Sequence, residues 1–396
     1  MTTLTPVTTL AEVFGPRVAY VPRRSPNLMG WSPPLPGQVD FLTGLQVGLA
    51  GGMAYVACAA TVTPPGVALR AEAGLPVDAE LHTYRTVAEY LPLLARMMGR
   101  GYLLASQRSH PETEIPPHGA HTQPSLVAEL NDKGNLADFV PDALLPARRT
   151  LRMAGLPEAS ALILDGRPIV LKVATHQPSG GGHGVWICRS PADVDSVRRQ
   201  LDGDERVVVE EFLDIAATVC VHCVVYPDGR SALIGAAEEI VRDGRWLGNW
   251  HDGAGDATPA EILAAVRNIV VSAAARGYRG IAGIDVARLV DGSWRILDLN
   301  FRVNGSTSGA WLREAVRQAR GVEVMLGRGW SCAEGFDQLC RVAQGAVRRG
   351  TLLPLGFYDP EAGDMGGLAR MSGLLLGESR EAVAAENHRL IIEGLS

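Results

Sequence analysis

The sequence predicts an α/β protein made of several α+β lobes, and three observations carry that prediction. Short β-like runs alternate with amphipathic helical stretches along most of the chain. Two pairs of strand-like runs are joined by polar turns, Pro227-Asp228-Gly229-Arg230 and Val290-Asp291-Gly292-Ser293, which predict hairpins. Nearly half of the 396 residues (46%) are apolar and 20% are charged, an ordinary globular balance with length for two to four packed units.

Residues 1–40 are rich in Pro, Arg and Thr and read as an irregular lead-in with one strand, 17–21. Residues 41–105 hold a small α/β unit with a helix over 86–98 and a strand over 102–106. The polar, proline-bearing run 107–124 is a linker or an active-site loop. Its His110, His118 and His121 are expected to be solvated, with proton carriage at the site as the alternative. A helical region follows over 124–139, then strands over 168–174 and 184–188. Ser190 caps a helix over 191–201. Strands are predicted over 206–209, 219–226 and 231–238, a helix over 258–276, and paired strands over 280–288 and 294–301. Residues 310–396 mix helices with a Gly-rich segment. The implied division is 1–125, 126–205, 206–325 and 326–396.

Net charge is −6, which argues against a nucleic-acid partner. The N-terminus lacks the basic and apolar regions of a signal peptide. The longest apolar-leaning stretch, 41–62, is broken by glycines and Gln46 and reads as buried core, so no membrane association is expected. The six cysteines show no disulfide framework. Cys220 and Cys223 have C-x-x-C spacing within a β-like run, without a second ligand pair, and read as buried thiols in a reduced, cytoplasmic chain. Of 37 basic residues only two are lysine, Lys133 and Lys172. Lysine is a compact point charge where arginine is a wide fork, so these two positions are candidates for phosphate contact.

Three constellations carry chemistry. Lys172 on a strand precedes Ser179-Gly180-Gly181-Gly182-His183-Gly184, whose glycines allow backbone amides to approach an anion. No Gly-Lys-Ser/Thr opens a helix, so this is not a Walker A loop. Asp285 is followed by Asp298-Leu299-Asn300; period-two alternation puts 298 and 300 on one strand face, with Arg302 and Asn304 beyond. Two carboxylates and an amide oxygen are hard donors suited to Mg²⁺ alongside phosphate oxygens. Glu210-Glu211-Phe212-Leu213 leave a strand with backbone groups able to meet an adenine edge.

In this order and spacing, over roughly residues 130–310, the chain resembles the ATP-grasp superfamily. The most specific part is Gly280-Ile-Ala-Gly-Ile-Asp285-Val with Ile296-Leu-Asp298-Leu-Asn300-Phe-Arg302-Val-Asn304-Gly-Ser306. The resemblance implies an ATP-grasp fold with an N-terminal pre-ATP-grasp domain and a C-terminal Gly-rich lobe. It implies that Lys133 and Lys172 contact ATP, that Ser179, Gly180, Gly181 and Gly182 form the phosphate loop, and that Glu210 to Leu213 form the adenine hinge. Asp285, Asp298 and Asn300 would hold Mg²⁺; Arg302 would face the transferring phosphate or acyl oxygen, with Lys172 as its catalytic companion. Two positions depart from the family pattern. Ala216-Ala217-Thr218 stands where relatives place a ribose-binding acid, with Asp214 as a substitute. Gly283 stands where many have a basic residue, a charge that Arg302, Arg245 or Arg288 would supply.

The layout is also similar to the pheganomycin-type peptide ligases of bacteria. That similarity implies an ADP-forming ligase joining an amino-acid or peptide carboxylate to an amine in specialised metabolism, with a homodimer left open. A kinase, a thioester-forming ligase and a nucleotide-binding module without turnover are the alternatives. Trp246 to His251 reads equally as a ligand wall or a surface loop. Ser306-Thr307-Ser308 would cap a helix beginning near Gly309, where a substrate carboxylate would sit.

Overall fold

The computed structural model describes residues 3–28, 36–163, 166–176, 182–242 and 244–396. The N-terminal unit runs α1 (Leu10–Phe14), β1 (Val18–Val21), α2 (Gln38–Phe41), β2 (Ala54–Cys58), α3 (Pro64–Glu72), β3 (Glu80–Tyr84), α4 (Val87–Gly99) and β4 (Leu103–Ser106). All four strands are parallel, in the order β3-β2-β1-β4. β1 and β2 are buried on both faces, as a parallel sheet between helices requires. The apolar-leaning stretch 41–62 is indeed core: β2 lies within it.

A second sheet, β5-β8-β6-β7, follows the helix α5 (Pro124–Leu130). Its parts are β5 (Arg148–Arg152), α6 (Ala159–Leu162), β6 (Ile169–Ala174), β7 (Val185–Cys188), α7 (Pro191–Arg198) and β8 (Arg206–Glu211). Ser190 caps α7 as expected, in a reciprocal capping box with Asp193.

The third sheet has eight strands. It contains β9 (Ile215–Val225), β10 (Ser231–Arg242) and β11 (Arg245–His251), then α8 (Ala260–Ala275), β12 (Gly280–Leu289) and β13 (Trp294–Asn300). Helix α9 (Thr307–Arg320) leads to β14 (Val324–Cys332), α10 (Phe336–Arg349), β15 (Leu352–Tyr358), β16 (Ala369–Gly377) and α11 (Arg380–Ile392). The order is β13-β12-β9-β10-β11-β14-β16-β15, antiparallel throughout. Trp246–His251 is therefore a sheet strand rather than a surface loop. One sheet crosses the expected boundary at 325/326, which falls inside β14, and β8 pairs with strands before the boundary at 205/206.

One face of the sheet packs Val219, Val221, Ile284, Val286 and Ile296 with Ile262, Val266 and Ile269 of α8. Register puts Asp298, Asp285 and Cys220 side by side across β13, β12 and β9 on the other face. Cys220 and Cys223 are free buried thiols on opposite faces of β9. Among the described residues no helix is long and apolar enough to cross a membrane.

Candidate active site

The site grows from the β12–β13 hairpin. Asp285 lies opposite Asp298, and the ladder shifts register directly after Asp285. Asn300 donates its Nδ2 to Asp285 Oδ2 at 2.8 Å. Asp285 Oδ1 is buried with no hydrogen-bond partner among the described residues, apart from the weak Cys220 thiol beside it. Burial and the Asp298 charge push the Asp285 carboxyl up to about 6. At Asp298 burial acts in the same direction, but Lys133 and Lys172 outweigh it and hold the group below the usual carboxylate range.

The two lysines arrive from different elements. Lys133 follows α5 and its Nζ is bonded to Asp298 Oδ2. That segment is fastened at both ends. Phe301 N donates to Asn131 Oδ1 at 3.0 Å, while buried Asp132 accepts from Gly134 N at 2.8 Å and pairs with Arg206 at 3.1 Å. Lys172, on β6, pairs with Glu210 Oε2 at 2.5 Å and donates to Leu297 O at 3.3 Å. Glu210 is 4% exposed and also meets Arg148 of β5 at 3.2 Å. Both lysines of the chain thus converge on the strand of Asp298, each held by a carboxylate.

The expected hinge leaves β8 at this point. Glu210 turns inward to the lysine, Glu211 accepts from Ala147 N at 2.8 Å, and Phe212 lies under the Arg189 guanidinium. Leu213 and Asp214 follow at the surface side of β9. Ser179, Gly180 and Gly181 lie outside the described residues. Gly182 has φ +83, and a Cβ there would meet Gly244 O at 2.2 Å, so only glycine fits.

Arg302 lines a cavity of about 30 Å³ together with Lys133, Asp298, Asn300, His176 and Arg108. Arg245 and Arg288 are exposed, and neither lines it. Gly283 is explained by its neighbours: a Cβ there would meet Asn304 Nδ2 at 2.2 Å and Cys220 Sγ at 2.9 Å. No basic side chain fits where the Asn304 amide lies. Asn304 Nδ2 reaches Cys220 Sγ at 3.1 Å, and its Oδ1 accepts from Ser306 and Thr307.

Ser306 stands at the N-cap position of α9, which begins at Thr307, two residues before Gly309, but it has helical backbone angles and its side chain makes no capping bond. Its hydroxyl instead meets His222 Nε2 at 2.9 Å, and the residue is buried. The Trp246 ring lies against Gly305, where a Cβ would meet it at 2.5 Å.

Four groups were not singled out from the sequence, although three of them lie in the run 107–124 that was read as a linker or an active-site loop. Gln107, Arg108 and Ser109 reach the cavity from the carboxyl end of β4. Strands β1 and β4 flank the point where the parallel order reverses, the usual ligand end of such a sheet. The polar run straight after a strand marked the loop, and the structure supports its active-site alternative. Burial, Arg302 and Arg24 push the Arg108 guanidinium well below its ordinary pKa. Glu239 of β10 is the fourth: burial, Asp285 and Asp298 raise its carboxyl well above the ordinary value.

The loop histidines are also corrected. His110 is 4% exposed and bonded to Tyr90 Oη at 2.9 Å; His121 packs edge-on against Phe14. Burial pushes both down to about 4, so both are neutral. His118 alone is exposed.

Two family models match this chain: the ATP-grasp domain of L-aspartate–L-methionine ligase over residues 146–300, and that ligase's N-terminal domain over residues 9–128. Together they span more than two thirds of the chain. The chain is an ATP-grasp carboxylate–amine ligase. The ligase is similar in fold to N5-carboxyaminoimidazole ribonucleotide synthetase in its ADP complex, at 16% identity and TM-score 0.59, over 99% of this chain and 98% of that one. The Staphylococcus aureus N5-carboxyaminoimidazole synthetase, complexed with ADP, matches at 12% identity and TM-score 0.58, over 99% and 98%. Biotin carboxylase from Campylobacter jejuni matches at 13% and 0.56, over 96% and 92%.

The residues present fit a divalent cation. Asp285 and Asp298 are adjacent carboxylates, one oxygen of Asp285 lacks a strong donor, and Asn300 adds an amide oxygen. Among the described residues no group of three or more His, Cys, Asp or Glu is gathered to hold a metal. Two carboxylates and an amide oxygen suit Mg²⁺ completed by phosphate and water oxygens.

Proposed function

We propose that this ligase uses ATP to join an amino-acid or peptide carboxylate to the amine of a second amino acid, through an acyl phosphate, releasing ADP and phosphate. The observation that carries this is the convergence of Lys133, Lys172, Arg302 and Arg108 around the Asp285–Asp298–Asn300 edge. Such a site gathers positive charge around a transferring phosphoryl group and needs no protein nucleophile. The name of the matched family makes aspartate and methionine the first pair to test.

The roles follow from position. Lys133 and Lys172 exchange their carboxylate partners for phosphate oxygens, so they are already oriented when ATP enters. Gly182 is assigned to the phosphates, as the family pattern assigns Ser179, Gly180 and Gly181, which lie outside the described residues, and residues 210–213 meet the adenine. Asp285, Asp298 and Asn300 would hold Mg²⁺, which when bound neutralises phosphate charge. Arg302 faces the acyl oxygen as charge develops there. Asn304 and Ser306 contribute by shaping the turn after β13 toward the substrate. Of the four-part division made from the sequence, the boundaries at 205/206 and 325/326 give way to the sheet pairing, since β8 belongs with β6 and β14 with β11; the cytoplasm is the proposed place of action and specialised metabolism the setting.

The test is ADP release from the purified chain with ATP, Mg²⁺ and pairs of standard amino acids, with mass detection of the product. A dipeptide and free phosphate are expected. A phosphorylated product, or no ADP release with any pair, overturns the proposal.

A further inference from the structure

A second cavity, of about 50 Å³, lies between β1, β4 and the exit of β13. The reaction scheme above gives it no role. Its wall is largely apolar and aromatic, including Phe14, Tyr20, Leu104, Ile115, Tyr278 and Phe301. Gln107, Ser109, Val127 and Arg302 line both this cavity and the charged one. A molecule with its body in the second cavity therefore has one end at the reaction centre.

The wall is unsuited to a charged body. His110 and His121 are neutral, for the reasons given above. Arg279 spends its guanidinium on the carbonyls of Pro227, Ala274 and Tyr278. The Tyr278 hydroxyl donates to Ile281 O at 2.5 Å. The junction is different. Gln107 Nε2 donates to Val303 O at 3.1 Å; a carbonyl only accepts, so this bond fixes which end of the amide is nitrogen. Gln107 Oε1 is left buried without a donor. An ammonium supplies the missing donor, and a carboxylate does not.

The geometry points to this cavity as the side-chain subsite of the amine substrate: an amino acid with an apolar side chain, its amino nitrogen at Gln107 Oε1. This rests on the ligase reading above. The amine nitrogen bonds to the acyl carbon and the carbon–oxygen bond to phosphate breaks, the electron pair leaving with phosphate. Of the two protons the nitrogen sheds, one goes to the departing phosphate and one to water. The specificity for the amine then resides in the N-terminal unit, at β1, β4 and residues 107–122.

Hydroxylamine separates the two half-reactions, because it captures the acyl phosphate as a hydroxamate without needing a side-chain subsite. The full chain is assayed with ATP, Mg²⁺ and aspartate, using hydroxylamine, methionine, leucine, glycine or glutamate as amine. Wild type is expected to favour methionine and leucine over glycine and glutamate. Ala120 and Ala105 also line the cavity, and Ala120→Leu, which narrows it, is expected to raise KM for the apolar amine by about tenfold or more. Its hydroxamate formation, and its KM for aspartate there, should stay at the wild-type level, which also shows that it folds. Ala105→Val is the second variant, with the same direction and a smaller shift. An unchanged amine KM in both variants, or a raised aspartate KM in the hydroxamate assay, overturns the subsite. No hydroxamate from wild type with any standard amino acid as the acid overturns the ligase reading itself.

Discussion

Beyond the apolar face that β12 and β13 pack on α8, the two edges of the eight-stranded sheet bury opposite kinds of side chain. At one edge β12 and β13 hold Asp285, Asp298 and Asn300 under Lys133 and Lys172. At the other, β15 and β16 hold Leu353, Phe357, Met371, Leu374 and Leu375 against α10 and α11. Both edges are strands of similar length in one hydrogen-bonded sheet. Apolar burial stabilises at roughly 25 cal/mol per Å². Buried charges lose hydration, and their attraction only partly offsets that loss. The charged edge is therefore kept for what it binds, and the apolar edge for what it holds together.

The sharpest way to break this comparison is to neutralise the charged edge. Asp298→Asn keeps the shape and removes the charge between the two lysines. Turnover, read as amine-dependent phosphate release, should fall by about 10³-fold, in the range found when a preorganised charge is removed from a reaction centre. The urea midpoint should fall as well, because Lys133 loses its buried carboxylate partner, so turnover is read per folded molecule. An Asp298→Asn enzyme with more than a tenth of normal turnover would place the chemistry elsewhere.

The apolar edge should behave in reverse. Phe357 is 0% exposed, and Phe357→Ala should cost about 3–5 kcal/mol by urea denaturation. Turnover per folded molecule should be unchanged at low temperature. A loss of turnover larger than the unfolded fraction accounts for would mean that the two edges are coupled.

The charged edge was legible in the sequence because its signals are local. Asp298 and Asn300 share a strand face by alternation, Asp285 is one hairpin away, and two lysines stand out in an arginine-rich chain. The rest of the site depends on distant pairing. Gln107 meets Val303 across 196 positions, a contact that no local pattern announces. Strand β5, Arg-Arg-Thr-Leu-Arg, lacks apolar alternation, yet it pairs along β8 and brings Arg148 to Glu210. Glu239 was missed because the strand reading stopped at Glu238, while β10 continues to Arg242. His110 and His121 were expected in water because their covers, Tyr90 and Phe14, come from other elements.

Between the two edges, His222 on β9 and His251 on β11 probe the sheet's middle by pH. Both are buried, and burial pushes them down to about 4 and about 3. In the unfolded chain each would titrate near 6.5. The unfolded state thus binds more protons below that pH, and the stability from a neutral ring is complete above it. Each ring should withdraw up to about 1.4 kcal/mol per pH unit as the pH falls from 6.5 toward 4. A urea-midpoint series from pH 7.5 to 5 measures this, and His222→Gln should lower its slope by one ring's share, with His110, His121 and His251 supplying the rest. An equally steep slope in that variant would assign the loss to other groups.

The smallest effect belongs to the lobe that faces the charged edge. Ser190 and Asp193 form the capping box of α7, whose Val194 and Val197 pack with Leu171 and Val173 of β6, the strand that carries Lys172. Ser190→Ala removes the bond to Asp193 N and should cost about 1 kcal/mol. The loss should stay local, since the second sheet has its own core. Amide exchange should quicken across β6 and β7 and stay unchanged in β15 and β16. The Michaelis constant for ATP should rise slightly, because Lys172 depends on β6 for its position, while the urea midpoint of the apolar edge holds. Equal loss of protection at both edges would show that the lobe and the eight-stranded sheet unfold as one unit, and the contrast between the edges would then be one of chemistry alone.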